Sequence, residues 1–470
     1  MDRDRRRLKT ARSRRLSAPD RSVIVTDHSN GPAVNDPGPA PVDRSAPIDH
    51  PAPIDHAVPA SHPAATAPAG CLIGDGDAAG LTVQRQRLAA LLQPLGLADA
   101  VEVAVAPAGA TGVIGATGVI GATGVVGAAG AAGAAGVLTL ALRAELAERW
   151  VPGADTLALA AALRRDRGEL GVEAALEREI VVAQLASPLA FEFPSAAEFA
   201  AAVRVRRRIA LAAARTMLAF DTVAAERPQD CWRYDPERGF TVVPGVALAD
   251  ALRRATQPDA TGRLFSFSCY RATEYVILLG IVEELASANP ALLAAQQRLS
   301  EQRAVVSGEF HDVYLREFGS MAAPLPPRFY IPGDRCWFRN PDSRSSDIEG
   351  FEGSWVIYLG GGRFGNFWQR DRPFTLESKC LELYHWADGA VTGDDGGLRM
   401  DEAIVAARVA ETLRDPARVA AIQARMQRYR EPSGVYRDGG CIDTTRECPR
   451  WLLPVTGDLV LPAADPAGGG

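Results

Sequence analysis

Apolar residues recur at three- and four-residue intervals over Leu138 to Trp150, Thr156 to Arg165 and Val172 to Leu185, which predicts three amphipathic helices. A fourth starts at Ser195, where Glu198 three residues on completes a capping-box pattern, and its periodicity runs to about Val223. The period then shortens. Trp232 to Val243 reads as two short strands around Asp235-Pro-Glu-Arg-Gly239, whose residues favour a tight turn, and Ala247 to Ala255 reads as a further helix. From Phe329 the pattern is that of strands: Arg335 to Arg339, Ser354 to Leu359, Arg363 to Trp368 and Cys380 to Trp386. Gly360-Gly361-Gly362, between the second and third, is a hairpin signal. Residues 400 to 430 return to a charged amphipathic helix, and residues 433–470 read as an irregular tail. Helices followed by strands predict an α+β domain over about residues 138–432, with helices packed on an antiparallel sheet.

The flanks differ in composition. Residues 1–70 hold 11 of the chain's 33 prolines and four of its six histidines, with a loose repeat in Ala46-Pro-Ile-Asp-His50 and Ala52-Pro-Ile-Asp-His56. Such a stretch buries too little apolar surface to offset the entropy of ordering it, so disorder is expected. From Gly109 to Gly136 glycine falls at every third position, without the proline that stiffens a collagen chain. Val103 to Leu142 also runs 40 residues without a charge, long enough for a membrane span. Ten glycines in that tract disfavour a helix, and residues 71–137 read as a flexible linker with no membrane role.

Charge and cysteine content narrow the function. The 470 residues carry 51 Lys+Arg against 57 Asp+Glu, a formal charge of −6, which argues against bulk capture of nucleic acid. Residues 1–15 form a basic arm of eight Arg and Lys ahead of an acidic body, the one feature that favours a nucleic-acid role. Seven scattered cysteines and no secretory pattern near the N-terminus fit a reducing, cytoplasmic setting with free thiols. Only two lysines occur, Lys9 and Lys379.

Candidate chemistry centres on Leu264-Phe-Ser-Phe-Ser-Cys-Tyr-Arg-Ala-Thr-Glu274, followed by the apolar run Tyr275 to Val282. It places Cys269 after an extended aromatic segment and at the start of a long buried helix, where peptide N–H groups and the helix dipole favour a thiolate. A buried core cysteine is the plainer reading of the same pattern. Outside the N-terminal region only His311 and His385 remain as imidazole bases, and His311 reads as a surface residue. Cys441 and Cys448, flanking Asp443 and Glu447, lack a second pair at zinc spacing and read as surface thiols. The aromatics Trp337, Phe338, Trp355, Tyr358, Phe364, Phe367 and Trp368 cluster in the strands, as core and as a wall for a groove beside Cys269.

Several blocks, in order, resemble the protein-glutamine gamma-glutamyltransferases of bacterial spore coats. They are Ser195-Ala-Ala-Glu-Phe with Ile209-Ala-Leu-Ala-Ala-Ala-Arg-Thr, Trp232-Arg233, and Phe267-Ser-Cys-Tyr-Arg-Ala-Thr. Gly333-Asp-Arg-Cys-Trp-Phe-Arg-Asn-Pro341, Phe351-Glu-Gly-Ser-Trp-Val-Ile-Tyr-Leu-Gly360 and Phe364-Gly-Asn366 follow, over about residues 190–370 in all. The resemblance implies a papain-like fold of the NlpC/transglutaminase type. It also implies a cysteine that attacks a glutamine amide, releases ammonia and passes the acyl group to an amine, with no metal or organic cofactor. The implied partners are a protein or peptide glutamine donor and an amine acceptor. Cys269 takes the place of the family's nucleophile, while Ser268, Ser354 and Asn366 stand where the family has glutamate, glutamate and histidine. Serine and asparagine do not titrate near neutral pH. The base is therefore sought in Glu352, two residues from Ser354 and on the same strand face, or in His385, with Asp388 behind it. Asn366 would orient that histidine or donate to an oxyanion. Ser268, Ser354 and Trp355 are the candidate substrate contacts. The alternative is a catalytically degenerate scaffold of the same fold.

Overall fold

The computed structural model describes residues 68–76, 78–107, 136–221, 225–394, 396–431 and 439–463. The basic arm, the histidine repeat and nearly all of the glycine-triplet tract lie outside the described residues.

The first sheet begins inside the segment expected to be a linker. Strand β1 (Cys71–Gly76), helix α1 (Ala78–Leu92) and strand β2 (Val101–Pro107) precede the triplets, and β3 (Gly136–Leu142) follows them. β3 runs antiparallel to both β1 and β2. Leu138, Leu140 and Leu142 are buried and alternate with half-buried neighbours, so this stretch is a strand rather than the start of a helix. The two-residue alternation of large and small side chains is the deciding period. Helices α2 (Ala144–Trp150), α3 (Leu159–Arg167) and α4 (Val172–Leu185) follow, and β4 (Phe191–Phe193) completes the sheet in the order β2-β3-β1-β4.

Helix α5 (Ala196–Arg215) is capped by Ser195, whose hydroxyl accepts the Glu198 N–H at 3.1 Å. The Glu198 carboxylate does not return to the cap. It accepts the Leu452 and Leu453 N–H groups and the Thr456 hydroxyl, which ties down the C-terminal segment. α5 stops at Arg215, short of Val223, where the Thr216 hydroxyl donates to the Ala212 carbonyl. Next come β5 (Ala219–Phe220), the hairpin β6 (Trp232–Asp235) and β7 (Gly239–Val242), and α6 (Leu248–Thr256). β8 (Ser266–Phe267) pairs in parallel with β5 and leads into α7 (Cys269–Ala288), then α8 (Pro290–Gln302) and α9 (Ser307–Tyr314). From Ala272 to Val282 every residue of α7 is buried, and α5 packs against it.

The central sheet is antiparallel, as expected. It contains β9 (Leu315–Phe318), β10 (Arg335–Arg339), β11 (Gly353–Gly360) and β12 (Arg363–Phe364). One stretch expected as a strand is a helix, and one expected helix is found as two. Cys380 to Trp386 is not a strand but part of α10 (Leu376–Gly389), which opens with a reciprocal cap between Thr375 and Ser378. Buried Leu376, Cys380, Leu383 and Trp386 recur at three- and four-residue spacing, and that helical period wins over the local alternation. After the ribbon β13 (Ala390–Thr392) and β14 (Leu398–Met400), the charged segment splits into α11 (Glu402–Thr412) and α12 (Pro416–Met426). Asp415 caps the second, and Pro416 opens it. β15 (Arg446–Pro449), within the expected irregular tail, is inserted between β10 and β9, giving the order β12-β11-β10-β15-β9. No described helix is long and apolar enough to cross a membrane.

β10 and β11 are in register at Trp337 opposite Trp355. One face of the sheet therefore carries Arg335, Trp337, Trp355 and Ile357, and Ile357 joins the core around α5 and α7. The other face carries Cys336, Phe338, Ser354, Val356 and Tyr358, most of which join the core under α10, α11 and α12.

At Gly280 α7 packs tightly against α5: a Cβ there would lie 2.5 Å from Ile209 Cγ1 and 2.9 Å from its backbone nitrogen. Gly280→Ala should push the helices apart and cost about 1–3 kcal/mol, measurable as a lower urea midpoint at unchanged m-value.

Candidate active site

Cys269 is the first residue of α7, placed there by β8 and by Ser268, whose hydroxyl accepts the Arg271 N–H at 3.3 Å. Ser268 thus acts as the helix cap. Of the seven free cysteines, six are buried and Cys269 alone is partly exposed. Cys441 and Cys448 are among the buried ones, which corrects their reading as surface thiols; Cys441 lies 3.7 Å, sulfur to sulfur, from Cys380.

Two peptide N–H groups point at the Cys269 sulfur, from Trp355 and Tyr270. Their availability follows from the backbone. Gly365 N–H donates to the Ile357 carbonyl, so odd-numbered residues of β11 turn their peptide groups away from β10 and towards β12. β12 reaches only as far as Tyr358, which leaves the Trp355 N–H for the sulfur. Tyr270 lies in the first turn of α7, where N–H groups have no partner within the helix. Burial raises the thiol above its ordinary value; the Trp355 N–H and the positive charge of Lys379 pull it down, Glu352 pushes it up, and the Tyr270 N–H pulls it down. The balance is a thiol that rests protonated at neutral pH.

Behind the sulfur lies a buried guanidinium. Arg335 is 1% exposed and sits between two rings, 4.2 Å from the Tyr270 centroid and 4.1 Å from that of Trp355. Its Nε donates to the Thr273 hydroxyl at 2.9 Å and its Nη1 to Glu447 at 3.0 Å. The two residues whose N–H groups hold the sulfur are therefore clamped through their rings by one cation. Glu447 passes the charge on to His311 at 2.9 Å, so His311 is not a free surface residue. Glu274, fully buried on α7, pairs with Arg271 at 3.0 Å and accepts the Ser307 hydroxyl at 3.2 Å.

The other expected site residues divide. Trp355 is at the site, through its N–H and ring. Glu352 precedes β11, is exposed, brings its charge to bear on Cys269 and accepts the Gly350 N–H at 3.2 Å. Ser354 is buried on the opposite sheet face from Trp355, beside Phe338 and Val356. Asn366 is spent on a turn: its carbonyl accepts the Trp368 and Gln369 N–H groups and its amide donates to the Arg372 carbonyl. His385 is fully buried on α10, with Nδ1 2.6 Å from Asp388 and Nε2 2.9 Å from the Thr412 hydroxyl. Asp388 does stand behind it, but both ring nitrogens are engaged and neither is left for the thiol. The histidine joins α10 to α11, so the expected Cys-His pair and its orienting asparagine are not formed. Among the described residues no group of three or more His, Cys, Asp or Glu is placed to hold a metal.

The family model of protein-glutamine gamma-glutamyltransferase matches residues 162–434, more than half of the chain and all of the elements that build this site except β15. The chain belongs to that family. Among solved structures it is similar to a transglutaminase from Geobacillus stearothermophilus without its C-terminal extension, at 18% identity and a TM-score of 0.30, over 45% of this chain and 96% of that one. No curated protein matches it. Membership supports a glutamyltransferase-like role in the acyl-transfer class, for which protein glutamine is the substrate class.

Sequence reading missed Arg335, Glu447 and Tyr270 as supports of the site. Arg335 and Tyr270 do lie inside the blocks that carry the family resemblance, which was the available signal. Arg335→Met should strand Glu447 as a buried charge and cost about 3–5 kcal/mol in denaturant unfolding. The hydrogen bond to Glu447 raises His311 above its ordinary value. The pair then adds stability that is complete below the unfolded imidazole value of about 6.5 and is lost as pH rises through the higher folded value. His311→Gln should remove that slope from urea midpoints measured between pH 5 and 8.

Proposed function

We propose that the protein transfers the acyl group of a protein glutamine through a thioester on Cys269. The observation that carries this reading is the placement of a partly exposed cysteine at the first turn of a buried helix, with the Trp355 and Tyr270 N–H groups aimed at its sulfur. The arrangement of that helix against the antiparallel sheet supports a papain-like core for the domain over about residues 138–432.

In the proposed cycle the sulfur attacks the amide carbon as the thiol proton passes to the Glu352 carboxylate. Charge on the carbonyl oxygen is met by peptide N–H groups at the helix start. The C–N bond breaks, nitrogen leaves as ammonia with the proton returned by Glu352, and the thioester remains. An amine, or water, then attacks the thioester, its proton passes to Glu352, and the C–S bond breaks as the departing sulfur takes that proton back, which restores the thiol and the carboxylate. A thiol that rests protonated fits this order, since the proton moves only when substrate is seated.

One observation favours a second reading, a member of the family that binds without catalysis: Glu352 bonds Gly350 rather than the thiol. Ammonia release from a glutamine-rich protein, with and without a labelled primary amine, separates the two. The enzyme reading expects ammonia release, amine incorporation, loss of both beyond a thousandfold in Cys269→Ala, and a fall of about 10²–10⁴-fold in Glu352→Gln. Wild-type protein that releases no ammonia and takes up no amine would leave the binding role.

A further inference from the structure

Two of the buried cysteines meet inside the protein although 61 positions separate them in the chain. Cys380, on the second turn of α10, and Cys441, in the segment that follows α12, are both 0% exposed. Their sulfurs lie 3.7 Å apart, in van der Waals contact. Both belong to the core under α10, α11 and α12, on the face of the sheet away from α7, and so stand apart from the Cys269 site.

The backbone holds both residues in place. The Cys441 N–H donates to the Met426 carbonyl at 3.0 Å, at the end of α12, and its carbonyl accepts the Arg339 N–H of β10 at 2.9 Å. Ile442 beside it bridges to Phe338 of β10 and to Tyr429. Cys380 is fixed by α10, whose start is held by the reciprocal cap of Thr375 and Ser378. The Cys441 thiol donates to the Met426 carbonyl at 3.2 Å, which leaves its sulfur to accept the Cys380 thiol. That contact and burial hold the Cys380 thiol well above its ordinary value, so the packed pair rests as two thiols. A disulfide brings its sulfurs to about 2.0 Å, so this pair has to close by about 1.7 Å. Each sulfur swings through a wider arc than that when its side chain changes rotamer.

We infer that Cys380 and Cys441 are an oxidative modification site, at which a disulfide closes within the native packing and ties α10 to the segment between α12 and β15. The inference is independent of the reading of Cys269. The co-reactant is a small-molecule disulfide. On a transient local opening, one of the two cysteines loses its proton and attacks a sulfur of that disulfide. The small molecule's S–S bond breaks, one half leaves as a thiolate, and a mixed disulfide remains on the protein. The second cysteine, deprotonated in turn, attacks the protein sulfur of the mixed disulfide, and the other half leaves as the Cys380–Cys441 bond forms. The two cysteine protons end on the two released thiolates. The protein pair is oxidised by two electrons and the small disulfide is reduced by two. The bond would enclose β13, β14, α11 and α12 in one covalent loop. Its main effect is on the unfolded chain, whose freedom such a loop reduces. A reducing environment keeps the pair as thiols, and an oxidising one closes it.

The test is treatment of the full-length protein with oxidised glutathione, in buffer and in urea below the unfolding midpoint, where local openings reach the buried thiols. Remaining thiols are then blocked with iodoacetamide in denaturant, and the protein is digested with trypsin without reduction and read by mass spectrometry. Cleavage after Lys and Arg puts Cys380 in peptide 380–399 and Cys441 in peptide 438–446, with Cys269, Cys336 and Cys448 in other peptides. The expected result is a linked pair of 380–399 with 438–446 as the main protein disulfide. The melting temperature should rise by about 5–10 °C and return to its starting value in dithiothreitol. Cys380→Ala and Cys441→Ala should each abolish the linked pair and the rise. Recovery of both cysteines as alkylated thiols or glutathione adducts under both conditions would overturn the inference, as would linkage of either to a different cysteine. A linked pair with an unchanged or lower melting temperature would also overturn it, since the native packing would then not accommodate the bond. The same rise in Cys380→Ala would assign the stabilisation to another site. The wild-type result decides the matter even where a variant fails to fold.

Discussion

One buried guanidinium organises the centre of this molecule. Arg335 cannot lose its proton, so its charge has to be met inside the protein by Glu447, the Thr273 hydroxyl and two ring faces. They come from three parts of the chain: Tyr270 and Thr273 from α7, Trp355 from β11, Glu447 from β15. Satisfying one cation therefore sets how the nucleophile's helix lies on the sheet, and it gives a strand from near the C-terminus a place in the sheet's interior. The geometry around the sulfur is a by-product of that electrostatic demand.

The sheet separates two kinds of polar burial. On the side of α7, charges gather in a linked set from Arg271 and Glu274 through Arg335 and Glu447 to His311. On the side of α10, burial is mostly apolar, and the polar groups there either pin helices together, as His385 does between Asp388 and Thr412, or surround Lys379. The imidazole expected to serve the thiol is thus used as a structural link between helices, and the carboxylate near the thiol comes from the loop that enters β11.

Where a segment's own periodicity decides its structure, the sequence was readable. α4 is found where Val172 to Leu185 placed it, the β6 and β7 hairpin surrounds its expected turn, and β10 and β11 follow their alternation. Cys269 at a helix start was legible for the same reason: an aromatic strand, a serine cap and a buried apolar run are local signals. The failures are segments whose partners are distant. Arg446-Glu-Cys-Pro449 shows no apolar alternation because its side chains are met by Arg335, His311 and Asp443, remote from one another in sequence or hidden by it. The stretch from Cys380 to Trp386 alternates over seven residues yet belongs to a longer helix, and no window confined to it reveals the cap at Thr375. Residues 71–107 looked like a linker because the strand that pairs with both of theirs lies beyond the glycine tract.

That pairing has a consequence for the length of the tract between the two strands. Pro107 and Gly136 are direct register partners in neighbouring antiparallel strands, so the triplet tract leaves the sheet and re-enters it at adjacent positions. The entropic cost of joining two fixed ends grows only with the logarithm of the number of residues between them, by about 0.6 kcal/mol for each doubling. The register of β2 and β3 therefore constrains the two ends of the tract and sets little limit on the number of residues between them.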